Sequence, residues 1–333
     1  MAHGEWRKVG ASSVVLCALA ITLLGAAVGC WVGYRRDCNQ LRTVAEKITA
    51  DARSGSERVL ALLHWVHVET GTAKNHSYFV LPTLGATPIQ VLHAGGDCAD
   101  KSRLLSAMLR EVGVPATMAM CFHPATGQPS HTIVEARTDP DAFMVVDPAF
   151  DLYFPRPDGS GYFGLLDLRR EPAILLRRLD QLCDTAPRTH PIHSYNRTQA
   201  VYDRAGSINW NRNWLMGFVR DRLLSGLGDD VYRLSRPVPF EEPKLFVAAV
   251  ALLSGLSASS LWGFRVWQAR RHHARPQPRA HSRRCIPPRR LVRTTPAGRA
   301  NLLASRGNGW QSGERKDDLC GTPTPAISPR GCK

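Results

Sequence analysis

The sequence predicts an α+β fold held between two membrane-crossing helices. Three observations carry that reading: two apolar runs of bilayer length, one strongly patterned helix in the first half of the chain, and three short extended segments directly after it.

The first apolar run, 14–34, reads VVLCALAITLLGAAVGCWVGY. The second, 245–264, reads LFVAAVALLSGLSASSLWGF. Each is close to the ~20 residues that cross a bilayer as a helix. A core helix of that length normally carries a polar stripe, and neither run has one. Two alternatives stay open for the first run. One is a cleaved signal peptide opened by Arg7 and Lys8, although the apolar stretch is longer than a usual signal core. The other is a lipoprotein signal, with Cys30 as the lipidated residue after Ala27-Val28-Gly29.

Charge is distributed as unevenly as hydropathy. The 333 residues carry a formal charge of +15. Residues 265–333 hold 16 Lys/Arg and 3 Asp/Glu, or +13 of it, which leaves +2 for 1–264. A high isoelectric point suggests nucleic acid as a partner. A basic segment directly behind an apolar run has a simpler cause in the positive-inside rule. Arg265, Arg270, Arg271, Arg275 and Arg279 would hold the C-terminus in the cytoplasm. Two spans then put both termini there and the body, 35–244, on the other side. Arg35 and Arg36 pull the opposite way with a smaller count. Membrane lipid is therefore the expected partner of the two helices and the basic tail, and nucleic acid is not expected. The tail, rich in Pro, Gly, Ser and Arg, reads as disordered.

Within the body, 39–68 reads as helix with a break near Ser54-Gly55 and an apolar face of Val59, Leu60, Leu62, Leu63 and Val66. The stretch 79–96 is rich in Pro and Gly and reads as loop with short extended pieces. Residues 97–112 form the clearest helix. Leu104, Leu105, Met108, Leu109 and Val112 share one face, Asp97 is the N-cap, Asp100 suits the first turn, and Gly113 with Pro115 ends it. Extended segments follow at 116–122, 131–137 and 142–146. His131, Ile133 and Glu135 alternate with Thr132, Val134 and Ala136, and Thr138-Asp139-Pro140-Asp141 makes the turn. Residues 203–227 read as one or two helices beside the membrane, with Trp210 and Trp214 as interfacial anchors.

The chemistry concentrates on three residues. Cys98 sits in the first turn of the clearest helix, where the helix dipole favours negative charge and raises the thiolate fraction of a cysteine. Gly95 and Gly96 leave room for another backbone to approach it. His131 opens the next-but-one extended segment and Asp147 closes the one after. Adjacent antiparallel strands put such a pair side by side, so that the carboxylate orients the imidazole and the imidazole takes the thiol proton. His93 and His123 flank these blocks. Asp97 and Asp100 read as helix-start residues rather than a catalytic pair. Asn196-Arg197-Thr198 fits a glycosylation sequon.

Nine cysteines are present: Cys17 and Cys30 in the first run, Cys38, Cys98, Cys121 and Cys183 in the body, and Cys285, Cys320 and Cys332 in the tail. With Cys98 as a nucleophile, three remain in the body, enough for one disulfide of undetermined pairing. No C-x-x-C spacing, Walker loop or dinucleotide fingerprint occurs, so no metal and no cofactor is expected.

Residues Gly95-Gly96-Asp97-Cys98-Ala99-Asp100-Lys101-Ser102, then Leu104-Leu105 to Leu109-Arg110, then Val112-Gly113-Val114-Pro115-Ala116 resemble the Gly-x-Cys, helix, Gly-Ile-Pro-Ala block of the transglutaminase-like superfamily. Ser130-His131-Thr132-Ile133-Val134-Glu135 resembles its His strand, and Phe143-Met144-Val145-Val146-Asp147-Pro148 its Asp-Pro strand. The resemblance spans 91–151. It implies a papain-like core with Cys98 as nucleophile, His131 as general acid/base and Asp147 as orienter. It also implies acyl transfer through a thioester on a protein or peptide substrate. The Cys98 amide is the expected oxyanion donor and Gln90 a candidate second.

These readings divide the chain into a cytoplasmic start (1–13), a first span (14–34), a transglutaminase-like domain (35–185, core 91–151), a membrane-proximal region (186–244), a second span (245–264) and the basic tail (265–333). The expected function is a membrane-anchored thiol enzyme, hydrolysing amides or transferring acyl groups outside the cytoplasm. The alternative is a non-catalytic docking module in a membrane or exopolysaccharide assembly. Substrate identity and oligomeric state are not legible in the sequence.

Overall fold

The computed structural model describes residues 2–123, 126–197 and 202–274. The tail beyond 274, with Arg275, Arg279, Cys285, Cys320 and Cys332, and Thr198 of the sequon lie outside the described residues.

Helix α1, Ala2–Ile48, carries the first apolar run without interruption into the body. Cys30 lies inside it. Its last turns supply Leu41 and Ala45 to the core. The break comes where the sequence placed it. Ser54 caps α2, Gly55–Glu69, by accepting from the Glu57 amide, and Val59, Leu62, Leu63 and Val66 are buried.

The stretch read as loop contains a helix, α3, Pro88–Ala94. Thr87 and Gln90 close its start as a capping box, with Pro88 in the first turn. Such a box satisfies two orphan N–H groups, and proline is favoured at that position, so a seven-residue helix survives amid Pro and Gly.

Helix α4, Cys98–Glu111, matches its expected course. Asp97 accepts from the amides of Ala99 and Asp100 at 3.0 and 3.2 Å. Gly113 then takes φ +78°, a left-handed conformation that suits glycine after a helix end.

Four strands follow: β1, Ala116–Phe122; β2, Pro129–Asp139; β3, Ala142–Asp147; and β4, Leu152–Tyr153. They form one antiparallel sheet in the order β1-β2-β3-β4. The alternation along β2 sorts its side chains between two cores. Val134 and Ala136, with Met144 and Val146, pack against α2, α4 and the end of α1. Ile133, Val145 and Leu152 face the other side. There they meet α5, Leu165–Arg170, and α6, Ala173–Thr185, together with Tyr195 and Tyr202. The result is a sheet between two helical layers.

The region expected beside the membrane is mixed in character. Trp210 is buried, not an interfacial anchor. Trp214, 81% exposed, opens α7, Trp214–Leu227, a helix with no buried residue. Helix α8, Pro243–Ala274, contains the second apolar run. Two helical stretches, Ala11–Ile48 and Pro243–Arg271, are long and apolar enough to cross a membrane. Their large side chains, among them Val14, Ile21, Val28 and Leu253, are exposed, as no buried core helix would have them.

The foot of α8 is tied to the body by charge. Arg110 in the last turn of α4 bonds Glu241 at 3.0 Å and Glu242 at 2.9 Å. Lys244 bonds Asp37 of α1 at 2.6 Å. Burial pushes the Glu242 carboxyl up to about 7 against the opposing pull of Arg110. Removing one partner of a buried pair leaves an uncompensated charge, at a cost of about 3 kcal/mol or more. Arg110→Met should therefore lower the unfolding temperature strongly at pH 8. At pH 5, where the stranded carboxylates protonate, the loss should be clearly smaller. Thermal unfolding of the detergent-solubilised chain at both pH values measures this.

Candidate active site

Helix α4 is positioned from three directions, and its first turn presents Cys98. Gly95 adopts φ +73°, and a Cβ there would meet the Gly71 backbone at 2.6 Å. The Gly96 amide donates to the Gly71 carbonyl at 3.0 Å. The two glycines therefore admit the chain that follows α2 directly against the Cys98 turn. Buried Lys101 donates from Nζ to the carbonyls of His67 (3.2 Å) and Thr70 (2.9 Å), the open end of α2, where a cation is favoured. Burial draws the Lys101 amine down from its ordinary value, and the Asp147 charge opposes this. Ser102 Oγ donates to the Thr132 carbonyl at 3.0 Å, pinning α4 to the His strand.

The register of β2 and β3 brings the other two residues together. Val134 pairs with Val146. Extending that register sets Asp147 across from Ile133, so His131 is its diagonal neighbour on the same face. His131 Nε2 lies 2.6 Å from Asp147 Oδ2, with Asp147 fully buried and His131 nearly so. The other carboxylate oxygen, Oδ1, accepts from the Ala149 amide at 3.1 Å. Asp147 occupies Nε2 of the ring. Burial pulls the His131 imidazole down, but the Asp147 charge and hydrogen bond, with a further contribution from Cys98, outweigh it and push it up to about 10. An imidazolium is thus the resting form near neutral pH.

Cys121 stands opposite His131 in the β1–β2 register and is fully buried. Burial first, then the charges of Asp147 and Cys98, push its thiol well up, so it stays protonated. Among the described residues none of the six cysteines is in a disulfide, so Cys38, Cys121 and Cys183 are not bridged to one another.

Gln90 stands apart from this group. Its Oε1 accepts from the Thr87 amide at 2.8 Å and the Thr87 hydroxyl at 3.1 Å, and among the described residues no hydrogen bond joins it to Cys98 or His131. Its side-chain oxygen serves the start of α3. The Cys98 amide belongs to the first helical residue, and Asp97 caps the two amides after it. His93 faces Gln40 of α1 at 3.4 Å. Asp100 is buried at the helix start; burial and the Asp97 charge push its carboxyl up, and Arg103 opposes them.

Residues 42–148 carry a transglutaminase-like superfamily domain. The match begins inside α1 and stops one residue past Asp147. No curated protein and no solved structure matches the chain. All of Cys98, His131 and Asp147 fall inside the transglutaminase-like domain. Among the described residues no group of three His, Cys, Asp or Glu side chains could hold a metal ion.

Sequence reasoning missed two residues that join the His131–Asp147 cluster from outside those limits. Tyr202 Oη donates to Asp147 Oδ2 at 2.9 Å. Tyr195 packs edge-on to the His131 ring at 6.4 Å, alongside Phe150 at 5.7 Å. No local motif marks either tyrosine. The only signal was a pair of aromatics in a stretch otherwise poor in pattern.

The His131 shift makes a prediction with a definite sign. A histidine whose folded pKa is raised contributes stability that is fully present below its unfolded value of about 6.5. That contribution is lost as pH rises toward about 10. Unfolding temperature should fall across this window, and Asp147→Asn should flatten the slope. A series of melts from pH 6.5 to 9.5 on both proteins tests it.

Proposed function

We propose that the chain is a membrane-anchored thiol enzyme acting on amide bonds of a protein or peptide outside the cytoplasm. The observation that carries the reading is the buried His131–Asp147 hydrogen bond, on an imidazole that Cys98 also helps to raise. In the first step Cys98 Sγ attacks the substrate carbonyl carbon and the thiol proton resides on His131. The carbonyl oxygen becomes an oxyanion, stabilised by the Cys98 amide at the start of α4. Collapse breaks the C–N bond, His131 gives its proton to the departing amine, and a thioester remains on Cys98. In the second step His131 takes a proton from water as the water oxygen attacks the thioester carbonyl. The C–S bond breaks, the carboxylic acid leaves, and the proton returns to the thiol–imidazole pair. An amine in place of water gives transamidation by the same path. Hydrolysis is the favoured outcome because water is always present. Asp147 holds the ring and supports the imidazolium throughout.

The anchoring proposal rests on the two exposed apolar helices and on the +13 charge of 265–333. Both termini lie in the cytoplasm and the body lies outside.

Two experiments test the reading. The full chain in detergent is treated with iodoacetamide at pH 7, and labelling of each cysteine is followed by peptide mass. Cys98 should react fastest, and His131→Ala should slow it at least tenfold. Labelling of Cys98 at the rate of an ordinary thiol, unmoved by His131→Ala, would falsify the enzyme reading. For topology, protease added to intact cells should digest the body and spare an epitope fused after Lys333. Cleavage of the epitope without permeabilisation would reverse the orientation.

A further inference from the structure

The carboxylate of Asp147 is shared. Its Oδ2 receives His131 at 2.6 Å and the Tyr202 hydroxyl at 2.9 Å. Tyr202 is fully buried, and Tyr195 nearly so. A phenol has one proton to donate, and Tyr202 gives its proton to the carboxylate. The two phenols also interact with each other. Burial, reinforced by the Asp147 charge, pushes both phenols well up.

We infer that Tyr202 is a positioning residue for the thiol chemistry, fixing the Asp147 carboxylate so that the His131 ring keeps its orientation for Cys98, and that Tyr195 backs it. The inference rests on the roles proposed above for Cys98, His131 and Asp147. The physical reason is geometric. A carboxylate held only by His131 and the Ala149 amide can turn about its Cα–Cβ and Cβ–Cγ bonds. Each turn carries the imidazole with it. A third hydrogen bond, on the oxygen that the imidazole uses, removes that freedom. Tyr195 adds a steric limit, because its ring edge and the Phe150 ring stand against the His131 ring itself. Both tyrosines lie beyond residue 148, where the family match ends. The segment after α6 is therefore part of the working site and not only a connection to the second apolar helix.

The test is a double-mutant cycle on the rate of Cys98 alkylation by iodoacetamide, in the full chain, from pH 5 to 9. Tyr202→Phe should lower the rate at pH 7 about tenfold and move the acid limb of the profile to higher pH. On an Asp147→Asn background the same substitution should change the rate less than twofold, because it acts through that carboxylate. A role in packing alone predicts equal losses on both backgrounds, and that result overturns the inference. So does a wild-type profile for Tyr202→Phe. If Tyr202→Phe does not fold, Tyr195→Phe replaces it. A twofold to fivefold loss that vanishes with Asp147→Asn supports the inference, and no loss overturns it. The parent protein and His131→Ala are run alongside. Absence of a His131 effect there defeats the proposed function itself, whereas a His131 effect without a Tyr202 effect defeats only this inference.

Discussion

The structure turns on one buried carboxylate. Asp147 has no solvent exposure, and an ionised group in that position is costly unless its oxygens are paired. Its partners are His131, Tyr202 and the Ala149 amide, which come from a neighbouring strand, from a short helical turn 55 residues later and from the turn just after β3. None of the three can be absent without stranding charge. The β2–β3 register, the turn after β3 and the return of the chain after α6 are therefore mutually dependent. A one-residue slip in β2 would send His131 to the opposite face and take one of its three partners from the carboxylate.

Helix α4 meets this carboxylate system from the other side, and its apolar face packs into the core while polar contacts fix its first turn. The ammonium of Lys101 closes the open carbonyl end of α2, Gly71 passes against Gly95 with no room for a Cβ, and the Gly96 amide bonds the Gly71 carbonyl. Ser102 holds the carbonyl of Thr132, the residue next to His131. The thiol and the imidazole are thus joined through two short covalent paths and one hydrogen bond. Local strain or slippage in either element would be felt at the Cys98–His131 contact directly.

These facts explain what could be seen in advance. Helix α4, its Asp97 cap, the three longer strands and the pairing of His131 with Asp147 follow from patterns local in sequence: a heptad-like apolar face, strict alternation and a short polar turn. Helix α3 was hidden because Pro and Gly dominate its surroundings, although Thr87-Pro88 with Gln90 spells a capping box. Trp210 misled for a different reason. A tryptophan near an apolar helix suits an interface and a core equally, and only the return of 205–207 beside β1 decides for the core. Tyr202 was invisible because its meaning is entirely nonlocal. Nothing within ten residues of it refers to Asp147.

The same helix that carries the thiol also carries the link to the apolar helices. Cys98 opens α4 and Arg110 stands in its last turn, about 18 Å away along the axis at 1.5 Å per residue. Arg110 lies between Glu241 and Glu242, the two residues before α8, while neighbouring Glu111 takes Arg42 of α1 at 2.8 Å. Burial first, then the Glu241 and Asp37 charges, push the Glu242 carboxyl up to about 7 against the pull of Arg110 and Arg103. A rigid helix transmits displacement along its length, since its hydrogen bonds permit little axial stretch. The Cys98 turn and the Arg110 link to α8 therefore stand at the two ends of one fourteen-residue helix, with no flexible linker between them.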